Sequence, residues 1–414
     1  MSHILITTFG TRGDVQPYVA LGQGLQQAGH RVTLVTSPEL GPDLSKGSVP
    51  VRPVSAPFLE MATSSEGRKA LAGGRSLSLL FKIMPMMRRF VEDQWTAAQE
   101  GVDAVVFHPK AIAGPHIAEA LGVPAFMALA APGFSPTTAF PTPLLTTRPL
   151  GPTLNRWSYG VMSAMSTSSF KGIVNAFRRE TLKLKPVSSA AQLTGEHAPK
   201  LYFFSPSLLA RPADWGTDTH VTGFWFLEQT QRWAPSDPLL KFLSAGPAPV
   251  YIGFGSMASV NPERMGYLLL EAVRKAGVRA ILARGGDGLG LESQDPSVLV
   301  IDGAPHDWLF DRVAAVVHHG GAGTTGAGLR AGRPTLICPF FGDQPFWGAR
   351  VAAIGAGPAP IPQKHLSVDG LAAALSRLTQ DDEMGRQATR VGAVIRKEDG
   401  VGTAVDLITR ALNA

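Results

Sequence analysis

The sequence predicts an α/β protein made of two tandem, doubly wound parallel-sheet domains that face each other across a cleft. Three observations predict it. Short apolar runs alternate with stretches of helical periodicity along most of the chain. The alternation lapses between about Asp214 and Pro249 and then restarts. Glycine-rich turns close several of the runs, as strand-to-helix connections in a parallel sheet require.

The elements follow in order. Ile4–Thr8 is a strand closed by Phe9-Gly10-Thr11-Arg12-Gly13. A helix is expected from about Pro17, with Tyr18, Leu21, Leu25 and Ala28 at helical spacing and Gly29 as its stop. Arg31–Val35 is the second strand. Ser76–Met87 reads as an amphipathic helix that lines a pocket or touches a membrane surface, because it is short for a span and carries Lys82 and Pro85. Val102–Phe107, Ile112–Leu121 and Val123–Ala128 read as strand, helix and strand. Residues 131–160 break the rhythm with Pro, Thr and scattered large apolar side chains, which marks a functional or poorly ordered loop. A helix resumes near Phe170–Lys183, and Leu201–Phe204 is a strand.

In the second half the strands are Val250–Phe254, Arg279–Ala283, Val298–Asp302, Ala314–His318 and Thr335–Pro339. The helices are Pro262–Lys275, His306–Phe310, Thr324–Ala331 and Gln344–Ile354. The expected division is a domain at 1–215, a linker region at 216–248, a second domain at 249–395, and a terminal helix at 396–414 that packs back on the first domain.

Composition narrows the function. The formal charge is +6, but Lys and Arg are scattered and no like-charge block marks a nucleic-acid tail. The one cysteine, Cys338, excludes an internal disulfide or a cysteine-based metal site and fits a reducing cytoplasm. The N-terminus reads as a first strand and not as a signal peptide, and no run reaches the length of a membrane span, so membrane contact is peripheral at most.

Chemistry concentrates in two places of the second half. Val316–Thr325 is a buried strand running into Gly320-Gly321-Ala322-Gly323 and then a helix whose N-terminus carries Thr324 and Thr325. Exposed backbone N–H groups and the helix dipole make an anion site there, with His319 able to give a hydrogen bond or a positive charge to a phosphate. The turn has neither the Gly-Lys-Ser/Thr ending of a P-loop nor a G-x-G-x-x-G spacing. His318 points the other way, as a core residue. Downstream, Asp343 and Gln344 set a carboxylate beside an amide at a strand end, which suits vicinal sugar hydroxyls, though Asp343 also fits a helix cap. Asp14, in the first turn, fits a helix cap on its residues alone.

Four segments, Phe9–Pro17, Gly303–Phe310, His318–Thr325 and Phe340–Gly348, resemble family 1 glycosyltransferases of the GT-B fold, in the branch of sterol 3-beta-glucosyltransferases and antibiotic glycosyltransferases. The resemblance implies two Rossmann-like domains and inverting, metal-independent transfer of a hexose, with glucose first, from a nucleotide-diphosphate sugar to a hydroxyl of a small apolar acceptor such as a sterol or related polycyclic compound. No cofactor is implied beyond the donor as co-substrate. A uridine donor is expected first; the alternative is a thymidine-diphosphate sugar, as in macrolide biosynthesis.

Carried over, Asp14 is the general base that takes the acceptor's proton. Thr11, Arg12, Gly13, Ser256, His306, His319, Gly321, Gly323, Thr324, Asp343 and Gln344 bind the donor. The apolar residues Phe58, Met84, Met87, Phe134, Phe140 and Trp157 are candidates for the acceptor's walls. Where many plant members stack a tryptophan on the base, this chain has Gly303. Rival readings are a nucleotide-sugar epimerase or hydrolase, a dinucleotide oxidoreductase, which the Gly10–Gly13 turn does not fit, and a non-catalytic binding protein. A monomer or dimer is expected, with no nucleic-acid partner.

Overall fold

The structure is a computed structural model and describes residues 1–55, 77–229, 233–255, 262–285 and 293–413. It divides into two units. One holds Met1–Pro206, Ala210–Leu227 and Asp399–Ala414, and the other Ser207–Leu209 and Glu228–Glu398.

The first unit carries a parallel sheet of β1 (His3–Thr7), β2 (Arg31–Thr36), β3 (Val51–Pro53), β4 (Ala104–Phe107), β5 (Ala125–Leu129), β6 (Lys200–Tyr202) and β7 (Thr219–Val221), in the order β3-β2-β1-β4-β5-β6-β7. Its helices are α1 (Arg12–Gln27), α2 (Leu40–Ser45), α3 (Leu77–Ala98), α4 (Gly114–Leu121), α5 (Pro152–Ser168), α6 (Lys171–Glu180) and α7 (Ala190–Thr194). The second unit has α8 (Asp237–Ser244), β8 (Val250–Gly253), α9 (Pro262–Ala276), β9 (Ala280–Ala283), β10 (Val298–Ile301), α10 (His306–Leu309), β11 (Ala315–His318), α11 (Ala322–Arg330), β12 (Thr335–Ile337), α12 (Gln344–Ala353), α13 (Val368–Gln380) and α14 (Asp382–Ile395). Its parallel sheet runs β10-β9-β8-β11-β12. The last helix, α15 (Gly400–Leu412), belongs to the first unit.

The central strands are apolar end to end because helices cover both faces. Ile4, Ile6, Leu34 and Val106 share a buried core with Leu21 and Leu25 of α1 and Ala404, Val405 and Ile408 of α15. In the second unit Ile252, Leu282, Val317 and Leu336 pack with Leu269 of α9 and Leu371 and Leu375 of α13. Both sheets wind outward in two directions from their first strand. The order therefore reverses between β1 and β4, and again between β8 and β11. In open α/β sheets the ligand crevice lies at that reversal, beyond the carboxyl ends of the strands.

Four expectations change. Helix α1 starts at Arg12, a turn before Pro17, which is buried inside it. Asp14 holds that first turn, so the missing proline N–H falls in a helix already begun. The irregular stretch 131–160 ends in α5, which begins at Pro152 and continues to Ser168. The segment 216–248 contains β7 and α8, and the two units divide between Leu227 and Glu228. Helix α3 runs through Pro85 to Ala98, well past Met87. Among the described residues no helix is long and apolar enough to cross a membrane.

Candidate active site

At the reversal of the first sheet, β1 leads into Thr8–Gly10 and α1, and β4 leads into His108 and Lys110. The strands are paired up to Thr7 opposite Phe107, and the His108 N–H donates to the Thr7 carbonyl at 2.9 Å. Residues beyond the two strand ends must therefore meet.

Asp14 is the centre of that meeting. Its Oδ2 accepts from the Thr11 N–H at 2.9 Å and the Thr11 hydroxyl at 3.1 Å, while the Thr8 hydroxyl donates to its carbonyl at 2.7 Å. Its Oδ1 accepts from Lys110 Nζ at 2.7 Å and lies 3.8 Å from His108 Nε2. The side chain of Asp14 is 18% exposed, that of His108 15%. Burial pushes the Asp14 carboxyl up, but the Lys110 ammonium, His108 and the hydrogen bonds from Lys110 and Thr11 outweigh it and hold the group below its ordinary value. Asp14 is thus an ionised, fixed carboxylate. It is the acidic member of a capping box with Thr11 at the N-cap.

Gly10 makes this turn possible. Its φ is +132°, and a Cβ there would sit 2.3 Å from Asp14 Oδ2. His108 is neutral, its pKa pushed down to about 3 by burial, then by Lys110, against the pull of Asp14. Its Nδ1 accepts the Lys110 N–H at 3.0 Å, so the ring hydrogen lies on Nε2, the edge that faces Asp14.

His108 and Lys110 were absent from the sequence reading. Their signal was His108-Pro109-Lys110 directly after a strand, but pairing of that strand with β1 is a fact of topology. Arg12 is exposed and its Nε donates to Gln16 Oε1 at 2.9 Å, and Gly13 is exposed beside it.

The second site is built the same way. At the reversal of the second sheet, β8 leads into Gly255 and β11 into His319. A Cβ on Gly255 would lie 3.3 Å from the His319 ring, and one on Gly321 would lie 2.8 Å from its Nε2. His319 is therefore clasped between two glycines. Its buried Nδ1 has no hydrogen-bond partner among the described residues, and burial pushes its pKa down to about 4. The expected positive charge is thus absent in the free protein at neutral pH. Ser256 lies outside the described residues.

Helix α11 starts with Gly321 as N-cap and without a side-chain cap, while the Thr325 hydroxyl donates to the Gly321 carbonyl at 3.0 Å. Gly323 is exposed with open space around it, and Thr324 is half-buried. No side-chain cap occupies the first N–H groups of this helix, an arrangement that suits an anion. His318 is fully buried, and its Nδ1 accepts the Gly320 N–H at 3.0 Å, which shapes the turn from below.

Gly320, at φ +102°, lies against Ile337 and Gln344, so the glycine turn touches the start of α12. There Asp343 Oδ2 accepts from Trp347 Nε1 at 2.9 Å, and Gln344 Oε1 accepts from the Phe340 N–H at 2.8 Å. The side-chain oxygen of the buried Gln344 is thus held by the backbone. His306 stacks on Phe310 at 4.3 Å, with Tyr251 edge-on at 5.8 Å, and Gly303 is exposed with nothing within 4 Å of a Cβ.

The expected acceptor walls separate. Phe140 joins an aromatic knot, meeting Trp215 at 6.5 Å where Tyr202 stacks on Trp215 at 5.2 Å, and the backbone N–H of Phe134 donates to the Tyr202 hydroxyl at 3.3 Å. Met87 is buried and Met84 half-buried on α3, which meets the Asp14 turn through the edge-on pair Phe9–Phe90 at 4.5 Å. Trp157 is 70% exposed on α5. Phe58 lies outside the described residues.

Comparison with known proteins identifies the family and the fold. Residues 4–139 match the glycosyltransferase family 28 N-terminal domain, and residues 273–398 match the erythromycin biosynthesis protein CIII-like C-terminal domain. Sterol 3-beta-glucosyltransferase UGT80A2 of Arabidopsis thaliana is 37% identical over 97% of this chain and 64% of its own length. Sterol 3-beta-glucosyltransferase UGT80B1 of the same plant is 38% identical over 99% of this chain and 68% of its own length. The chain thus spans about two thirds of these relatives. The solved glycosyltransferase of kitacinnamycin superposes with a TM-score of 0.75 at 17% identity, over 99% of both chains. That likeness shows the fold, which is GT-B. By its identity to the plant enzymes over nearly its whole length, the chain belongs to the glycosyltransferase family of the sterol 3-beta-glucosyltransferases.

Proposed function

We propose that the chain transfers a hexose, glucose first, from a uridine-diphosphate sugar to the hydroxyl of a sterol or related polycyclic alcohol, inverting the anomeric carbon. One observation carries the reading: a fixed, ionised carboxylate, Asp14, stands at the ligand crevice of the first sheet. The family and the relatives' printed activity support the substrate class.

In this reading the acceptor oxygen approaches Asp14 Oδ1 while Thr11 keeps Oδ2 occupied. A carboxylate of depressed pKa is a weak base toward a resting alcohol. It becomes adequate as the oxygen attacks and its proton turns acidic. The leaving diphosphate gains charge, which the N–H groups of Ala322, Gly323 and Thr324 meet with fixed dipoles. Asp343 and the Gln344 amide hold sugar hydroxyls, and His306 with Tyr251 frames the base. A cytoplasmic setting agrees with Cys338, a free buried thiol pushed up to about 12 by burial.

The test is product detection by mass spectrometry, with steroid and macrolide alcohols against uridine- and thymidine-diphosphate hexoses. Asp14→Asn should lower turnover by about 10²–10⁴-fold with nucleotide binding retained. Near-normal turnover of a folded Asp14→Asn variant sinks the assignment. Donor consumption without acceptor favours a hydrolase.

A further inference from the structure

Helix α5 is built inside out. Most of its inward residues are polar: Asn155, Ser158, Ser163 and Thr167 are 3%, 4%, 7% and 8% exposed, with the ring of Tyr159 buried among them at 3%. They are fully employed. Asn155 Nδ2 donates to the Thr138 carbonyl at 2.9 Å, Ser158 Oγ accepts from the Thr142 N–H at 2.8 Å, and Ser163 Oγ donates to Glu196 Oε1 at 2.5 Å. The outward residues are apolar: Leu154, Trp157, Val161 and Met165 are 58%, 70%, 48% and 61% exposed. Their spacing of three, four and four places all four on one stripe. Leu144 and Leu145, in the preceding segment, are also exposed. A helix packed on a soluble core turns its apolar stripe inward, so this stripe is directed at something else.

The charges around it say what. No aspartate or glutamate occurs between Glu119 and Glu180, whereas Arg148, Arg156 and Lys171 flank or lie on the helix and are exposed. The nearest acid to Arg156 across the fold is Asp214, at 4.0 Å. A two-fold partner of the same chain would set this patch against itself, cations facing cations. An anionic surface with an apolar interior meets both features at once. Tryptophan on such a stripe, with basic residues beside it, is the pattern of a helix lying in a bilayer interface.

We infer that the outer face of α5 docks on an anionic lipid bilayer, with Leu154, Trp157, Val161 and Met165 entering the headgroup boundary. This is a different helix from Ser76–Met87, which the sequence reads as lining a pocket or touching a membrane surface. It does not rest on the transfer reaction, since docking needs neither donor nor acceptor.

The experiment is co-sedimentation of the full chain with phosphatidylcholine–phosphatidylserine vesicles and with phosphatidylcholine vesicles alone. The wild type should partition to the anionic vesicles, and added salt should weaken it. Replacing the four stripe residues by glutamine should lower partition by about tenfold or more, with an unchanged melting temperature. Arg148→Glu with Lys171→Glu should do the same, at about fivefold for each charge. Single Trp157→Gln and Met165→Gln variants repeat the test with less change to the chain. A wild type that stays in solution with both vesicles overturns the inference, as does a glutamine variant that binds equally well. So does a wild type that sediments as a dimer without lipid when the glutamine variant is a monomer, since the stripe would then be covered by a second copy.

Discussion

At the scale of single residues, the first site turns on how strongly Lys110 pins Asp14. Asp14's ordinary carboxyl value of 3.8 is depressed in the fold, so the stability of its ion pair is present above that value and is lost as pH falls through the lower folded one. Lys110→Met removes the largest force lowering it. The acid limb of kcat/KM should then move to higher pH, which a pH–rate profile reads directly, and an unmoved limb would mean that Lys110 acts elsewhere. His319 offers the opposite sign. Its folded pKa near 4 lies below the ordinary 6.5, so it is neutral until an anion arrives. Binding of uridine diphosphate should raise that pKa and take up a proton. Affinity should therefore strengthen as pH falls from neutrality toward the free value, and His319→Gln should lose that slope. Calorimetry on both proteins isolates the histidine from the nucleotide's own titration.

At the scale of elements, the glycines of the β11–α11 turn do two different jobs. Gly320 has φ +102°, and a Cβ would lie 2.7 Å from Ile337 Cγ2 and 3.0 Å from Gln344 Cβ. Gly320→Ala should cost about 1–3 kcal/mol, seen as a lower urea midpoint. Gly323 has ordinary φ and open space, so Gly323→Ala should leave stability within about 0.5 kcal/mol, yet weaken nucleotide binding by filling the place where backbone meets phosphate. If both variants lose stability equally, Gly323 is structural. The sequence made α11 and its turn readable, because the strand before it is apolar and the glycines follow at once. The start of α1 was not readable from Pro17 alone, since Asp14's reach back to Thr11 decides it.

At the scale of the whole molecule, the last helix belongs to the unit that begins the chain. Val401 of α15 sits where a Cβ on Gly24 of α1 would be 2.4 Å away, and His30 Nε2 meets the Thr409 hydroxyl at 3.0 Å. Truncation after Glu398 removes Ala404, Val405 and Ile408 from the first unit's core. Calorimetry should then show that unit melting earlier, with the second unit's transition unmoved; a shift of both together would refute an independent role for α15. The sequence by itself determined the α/β class, the restart of the alternation and the glycine turn of the second site, because strand burial and backbone reach are written in local residue types. It also singled out Asp14, through the resemblance of its turn to that of known transferases. Only the tertiary structure decided that β4 runs beside β1. That neighbour relation brings His108 and Lys110, 94 and 96 residues further along, to the carboxylate. Strand order is settled by which helices can cover the two faces of the sheet, a contest among distant segments that no local pattern records.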